Sequence, residues 1–442
     1  MHPYTGAMKT APLLSFLALA LSAVQHATAQ VPEERPAIEG FVTRVASSSD
    51  FDVNTIRIVC GETTMSGWSN SDTTFSGCPK VAPKLGEYLT VFGVLRKQQN
   101  LLQASKILEH PIKYGEVSGE GVVDAPPIRN APGSPPGTII VRADGYWILI
   151  PFKANITFSI QSVDAVNANT WIKYQGEMRP DGIVVANSIR LDPNITTPHE
   201  EKFREKSEYD PASASATPSQ SRLSVALTGV NLNRVKPWPD AAMQDRVTNI
   251  GNSLIPEYQK ELSDSDPAKL TFRFIVVDAK WGIFPVSLPD GAVLVPYKCV
   301  ERMQNDAQLA ALLADAVATV LEKQKLRTRM AKRALETSQF AAYAAQFALG
   351  GPAGFAAFAG GEALGVDQRT IARREMHQSE RVSLMLMHDA GYDPWQAPLA
   401  WWLLSSGKKP ISEAWPPEQS AELYRTLATV WSQPQPAQPP SH

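Results

Sequence analysis

Polar and apolar residues alternate through much of the first half of the chain, whereas a helical period dominates the second. Residues 37–109 and 117–192 read as two copies of one β pattern. The first opens with Ile38-Glu39-Gly40-Phe41-Val42 and the second with Gly119-Glu120-Gly121-Val122-Val123. The first closes with a strand over 88–93, a turn and a strand over 101–107. The second closes with a strand over 171–176, the turn Pro180-Asp181-Gly182 and a strand over 183–189. In both copies a glycine (Gly93, Gly176) ends one strand and an Ala-x-x-Ile (Ala104 to Ile107, Ala186 to Ile189) follows in the next, as an internal repeat would require. Beyond residue 230 the pattern is α+β. Val247, Ile250, Leu254 and Tyr258 share one helical face, followed by strands over 271–277 and 284–288, the turn Pro289-Asp290-Gly291 and a strand over 292–295. Asn305-Asp306 predicts a cap, and Leu309, Leu312, Leu313, Ala316, Val317, Val320 and Leu321 predict the helix behind it.

Residues 195–229 mix charges with Ala212-Ser213-Ala214-Ser215-Ala216-Thr217-Pro218, a composition that cannot bury a core, and read as a linker. Residues 433–442 read as a disordered Pro/Gln-rich tail. Trp395, Trp401, Trp402, Trp415 and Trp431 crowd the last part at spacings that predict core aromatics. A length of 442 residues allows about three domains. Lys and Arg number 42 against 44 Asp and Glu, a net charge of -2, which argues against a globally basic nucleic-acid binder. Three cysteines exclude a disulfide-dense scaffold and a Cys-rich zinc ribbon.

Residues 1–29 have the form of a signal peptide. Met8-Lys9-Thr10 supplies a basic start, residues 13–24 an apolar run and Ala27-Thr28-Ala29 a small-x-small cleavage pattern. The apolar run is too short for a comfortable bilayer span. The expectation is a periplasmic or secreted protein after cleavage near Ala29. In an oxidising compartment Cys60 and Cys78, close together in one β-rich segment, are expected to form a disulfide. Cys299, in an apolar run, is expected to be a buried thiol.

The β modules, residues 30–115 and 116–194, resemble the small OB-like barrels of bacterial envelope proteins. Residues 230–432 form the third expected domain, and within it residues 236–430 resemble the HtpX and CAAX-prenyl protease family of zinc metallopeptidases, a gluzincin-like α+β fold. In that family two strands about a tight turn precede a helix with the motif ELAxxLxHExxH. Here the run is Gln308-Leu309-Ala310-Ala311-Leu312-Leu313-Ala314-Asp315-Ala316-Val317-Ala318-Thr319. Ala390-Gly391-Tyr392-Asp393-Pro394 fits the family's later Gly-Tyr/Phe-Asp-Pro corner.

The resemblance implies two His one turn apart, a Glu between them as general base and a later acidic ligand on zinc. Carried over by position, the first His is Asp315, the base Ala316 and the second His Thr319. The third ligand falls at Met376 and a supporting Asp at Glu380, while the substrate-side edge strand falls at Phe284-Pro285. HExxH is thus replaced by Asp315-Ala316-Val317-Ala318-Thr319. The mature chain holds only His110, His199, His377, His388 and His442, no two of them four apart. No catalytic residue and no metal are therefore expected. Asp315 is expected as a solvated or capped helix-face residue and His377 beside a nearby carboxylate. A vestigial cleft with Asp315, Thr319, His377 and Glu380 would take a protein or peptide partner.

Residues 337–361 carry no charge and are flanked by basic residues, among them Lys332, Arg333, Arg369 and Arg373. Gly350-Gly351-Pro352 splits the run into arms too short to span a bilayer. It reads either as a helical hairpin covering the cleft or as a peripheral membrane contact. Three functions follow: an exported pseudopeptidase that binds or scaffolds envelope proteins, an HtpX-like zinc endopeptidase using non-standard ligands such as Asp315 and His377, and an envelope adaptor binding through the OB-like modules. Only the second needs zinc.

Overall fold

The computed structural model describes residues 37–60, 73–110, 114–129, 136–209, 230–327, 368–407 and 417–431, apart from a few positions inside these stretches. The expected signal peptide, residues 210–229 of the linker, the apolar segment 337–361, Trp415 and the tail lie outside the described residues. Three sheets and a set of helices make a mixed α+β molecule.

The first sheet contains β1 (Ile38–Ser47), β2 (Asp50–Val53), β3 (Ile56–Cys60), β4 (Thr73–Ser76), β5 (Tyr88–Arg96) and β6 (Leu101–His110). Antiparallel pairing runs β3-β2-β1-β5-β6, and the path returns on itself because β3 also pairs with β6, in parallel. β4 takes the rest of the same edge of β6. Val42, Phe51, Val53, Ile58, Leu89, Val91, Leu102 and Ile107 fill the interior. The expected Cys60–Cys78 disulfide is present.

The second sheet contains β7 (Glu116–Val122), β8 (Ile128–Arg129), β9 (Ile139–Ala143), β10 (Tyr146–Ile150), β11 (Asn155–Phe158), β12 (Thr170–Met178) and β13 (Ile183–Pro193). It repeats the circuit as β9-β10-β13-β12-β7, with β10 and β13 the parallel pair. Between β7 and β9 there is a single bridge, Val123 to Ala143. Its interior is separate, built from Val141, Ile148, Ile172, Tyr174, Val184, Ile189 and Leu191.

The repeat holds residue by residue. Tyr88 faces Phe41 and Trp171 faces Val122. Five positions on, Gly93 faces Ala104 and Gly176 faces Ala186, each at a register shift. A Cβ at Gly93 would lie 2.1 Å from the Gln103 carbonyl oxygen, and one at Gly176 2.3 Å from that of Val185. These bulges bend the long strand pair and admit no side chain.

The remaining elements are α1 (Pro198–Ser207), α2 (Ala241–Ser253), α3 (Glu257–Glu261), β14 (Arg273–Val277), β15 (Val286–Ser287), β16 (Ala292–Pro296), α4 (Tyr297–Arg302), α5 (Asp306–Leu321), α6 (Gln368–Asp389), α7 (Ala397–Ser405) and α8 (Glu418–Val430). The third sheet runs β14-β16-β15, with β14 and β16 parallel. Asn305 caps α5 by accepting the Gln308 N–H at 2.9 Å, and the apolar stripe behind it is buried. α6 packs along α5, while α7 and α8 pack on each other. Trp402 is fully buried, and Trp395, Trp401 and Trp431 pack partly buried against the same core.

The charged stretch expected as a linker begins with a helix. Thr197 and Glu200 form a reciprocal capping box, and Phe203 is buried with Leu326. A good cap and one apolar anchor order a segment whose composition alone reads as solvated. Among the described residues no helix is long and apolar enough to cross a membrane.

Candidate functional site

The helical period sets Asp315, Thr319 and Glu322 along one side of α5 and its C-terminal end, at i, i+4 and i+7. α6 brings Met376 and Ser379 alongside. Asp315 is hydrogen-bonded to Ser379, and burial pushes its carboxyl up to about 6 against that bond. The Ser379 hydroxyl also lies 3.0 Å from the Met376 carbonyl oxygen. Thr319 folds its hydroxyl onto the Asp315 carbonyl at 2.9 Å, and Ala316 is buried. Asp315 is therefore held between helices rather than on a solvated face. His377 does find carboxylates: Nδ1 is 3.2 Å from Glu380 and 3.8 Å from Glu422 on α8. Phe284 and Pro285, expected on an edge strand, precede β15, and Phe284 stacks on Trp401 with centroids 5.7 Å apart.

A carboxyl bonded to a serine, a hydroxyl turned onto its own helix and a thioether do not fit a zinc site, which takes imidazoles, thiolates or free carboxylates. Among the described residues no three His, Cys, Asp or Glu side chains converge as metal ligands. Cys299 is buried, and burial pushes its thiol up to about 12, away from the thiolate form.

A second cluster, invisible to motif reading, lies where β7, β9 and the β9–β10 turn meet the end of α5 and α6. Arg142, 2% exposed, donates to Asp124 at 2.6 Å and forks onto both Asp389 oxygens at 2.9 and 2.5 Å. Arg381 donates to the Asp144 carboxylate at 2.6 Å and to its carbonyl at 3.0 Å, while the Tyr174 hydroxyl donates to Asp144 at 2.7 Å. Arg327 and Lys173 pair with Glu120 at 2.5 and 2.7 Å. Gln378 donates to the Glu120 carbonyl at 2.6 Å and to Glu322 Oε2 at 3.0 Å, and the Val122 N–H donates to the same Oε2 at 3.3 Å.

Burial drives the acids of this cluster upward, and cations decide how far. It outweighs Arg142 for Asp124 and Arg381 for Asp144, so both carboxyls are raised. Glu120 is half-buried, yet Arg327 and Lys173 hold it at about 2. Glu322 is raised well above the carboxylate range by burial and then by Asp144, with Arg327 the main opposing charge. One signal for this cluster was in the sequence. Arg142 interrupts the apolar run Ile139-Ile140-Val141, and an arginine amid buried strand residues needs a carboxylate partner.

No family model matches the chain, and no curated protein matches it.

Proposed function

We propose that the chain is an exported binding protein of the cell envelope, with a metallopeptidase-like unit that lacks peptidase chemistry and two OB-like barrels. The observation that carries this reading is the fate of the ligand positions: Asp315 is bonded to Ser379, Thr319 is spent on its own helix, and the base position is the buried Ala316. In each β unit five strands follow one circuit that contains one parallel pair, with β11 adding a parallel pairing to β13 outside the second circuit. This is the strand order of an OB barrel and supports the second resemblance. The Cys60–Cys78 disulfide favours an oxidising compartment such as the periplasm. The partner is a protein or peptide held in the former substrate cleft.

The test uses the mature chain, from residue 30 onward. It is expected to leave casein intact whether zinc or a chelator is added, and to retain reduced, unfolded α-lactalbumin on a column. Cleavage abolished by chelator and by Asp315→Ala would establish the zinc endopeptidase with unorthodox ligands instead. Deleting residues 30–115 leaves cleft binding in place but removes binding made through the first β unit, which separates the adaptor reading.

A further inference from the structure

A strand edge inside a molecule must have its N–H and C=O groups satisfied. In the first β unit the gap beside β1 is closed from within. Asn54, at the turn between β2 and β3, donates its amide to the Glu39 carbonyl at 3.0 Å and accepts the Phe41 N–H at 3.0 Å. Gly40, between them, makes room: a Cβ there would meet the Asn54 amide at 2.0 Å.

In the second unit Glu120 and Val122 stand where Glu39 and Phe41 do, by their pairing with Lys173 and Trp171 as against Thr90 and Tyr88. Asp144 stands where Asn54 does, both with positive φ, +54° and +48°. An ionised carboxylate has no N–H to give, and Asp144 is taken by Tyr174 and Arg381. The same two backbone groups are instead taken by Gln378 and Glu322 from the helical part. Gly121 repeats the role of Gly40, with a Cβ there falling 2.8 Å from Glu322 Oε2.

Glu322 is 1% exposed, and its Oε1 has no hydrogen-bond partner. The groups around it are Glu120 on β7, Asp124 just past it, Arg142 on β9, Asp144 at the turn, Lys173 and Tyr174 on β12, and Tyr258 on α3. Lys323 and Arg327 lie on its own side, Gln378 and Arg381 on α6, and Asp389 at the end of α6. Arg142, Lys173, Arg327 and Arg381 are ion-paired with Asp124, Asp389, Glu120 and Asp144, four cations to four acids, while Lys323 pairs with Glu200. Glu322 is the surplus acid.

We propose that this seam is a proton-operated latch: Glu322, carrying its proton, joins Gln378 in closing the open edge of the second β unit, and release of that proton to solvent loosens the docking of this unit on the helices. The first unit, sealed by a neutral amide, does not respond. The sign follows from linkage. Burial and Asp144 raise the Glu322 carboxyl in the docked state, so that state binds more protons than the open one and loses stability as pH rises.

The test is amide hydrogen exchange on the full mature chain at pH 5, 7 and 9, expressed as protection factors so that intrinsic exchange cancels. Phe41 is the internal control for Val122. Protection at Val122 is expected to fall at least tenfold from pH 5 to pH 9 while that at Phe41 stays level, and Glu322→Gln should remove the fall. Parallel behaviour of the two amides in the wild-type chain would overturn the latch, and that comparison needs no variant to fold. Persistence of the fall in Glu322→Gln would also overturn it, moving the proton to Asp124 or Asp144.

Discussion

The two β units share a strand circuit, a bulged glycine opposite an alanine, and a glycine that admits a side chain into the seam, yet they solve the seam differently. In the first, one residue of the unit itself, Asn54, serves both backbone groups. In the second, Asp144 occupies that turn and two residues from the helical part do the work. The exchange of an amide for a carboxyl marks the difference between a unit that closes itself and one closed by its neighbour. Val122 makes the same point in apolar terms, being buried with the helical core rather than inside its own sheet. A repeat can thus keep its architecture while surrendering its independence.

The sharpest way to break this comparison is to separate the units. Residues 30–115 expressed alone are expected to give a dispersed amide spectrum and a cooperative urea transition, and residues 116–194 alone neither. Equal folding of both would remove the distinction. Next in size, Arg142→Ala should cost about 3–5 kcal/mol, because it strands the buried Asp124. Arg44→Ala should cost less than about 1 kcal/mol, since Arg44 pairs with Asp50 and Asp52 at the surface. Urea denaturation of each variant in the mature chain measures both. A pH-dependent effect, smaller than that of Arg142→Ala, concerns Asp315, a buried acid outside the seam. Its carboxyl is raised to about 6, so wild-type stability declines as pH climbs from the unfolded value near 4 through 6. Asp315→Asn should therefore gain about 2 kcal/mol on the wild type between pH 4 and pH 8, read from thermal melts at both.

Local signals carried much of the fold. The paired Gly93 and Gly176, with Ala104 and Ala186 across from them, betrayed the repeat because one bulge constrains both strands at short range. The helix over α5 was legible from its cap and stripe, which act within a few residues. α1 was not, although Thr197 and Glu200 at capping-box spacing were there to be read. Of the residues expected in a cleft, Thr319 is bonded to Asp315 within α5 and Ser379 joins Asp315 to α6, whereas His377 pairs with Glu380 and Glu422. Beyond Arg142 amid its apolar strand, the seam could not be read. Its partners, Val122 with Glu322 and Glu120 with Gln378, are 200 and 258 residues apart, and no periodicity links positions at that range.

That separation also orders events in time. A chain that emerges from its N-terminus can finish the first β unit once Asn54 and the later strands are out. The second waits for Gln378, 258 residues beyond Glu120. At synthesis rates of about 5–20 residues per second this is a delay of roughly 10–50 s. During it the edge of β7 stands open, and the nascent chain carries one finished β unit beside one that is still a vacancy for its own C-terminal half.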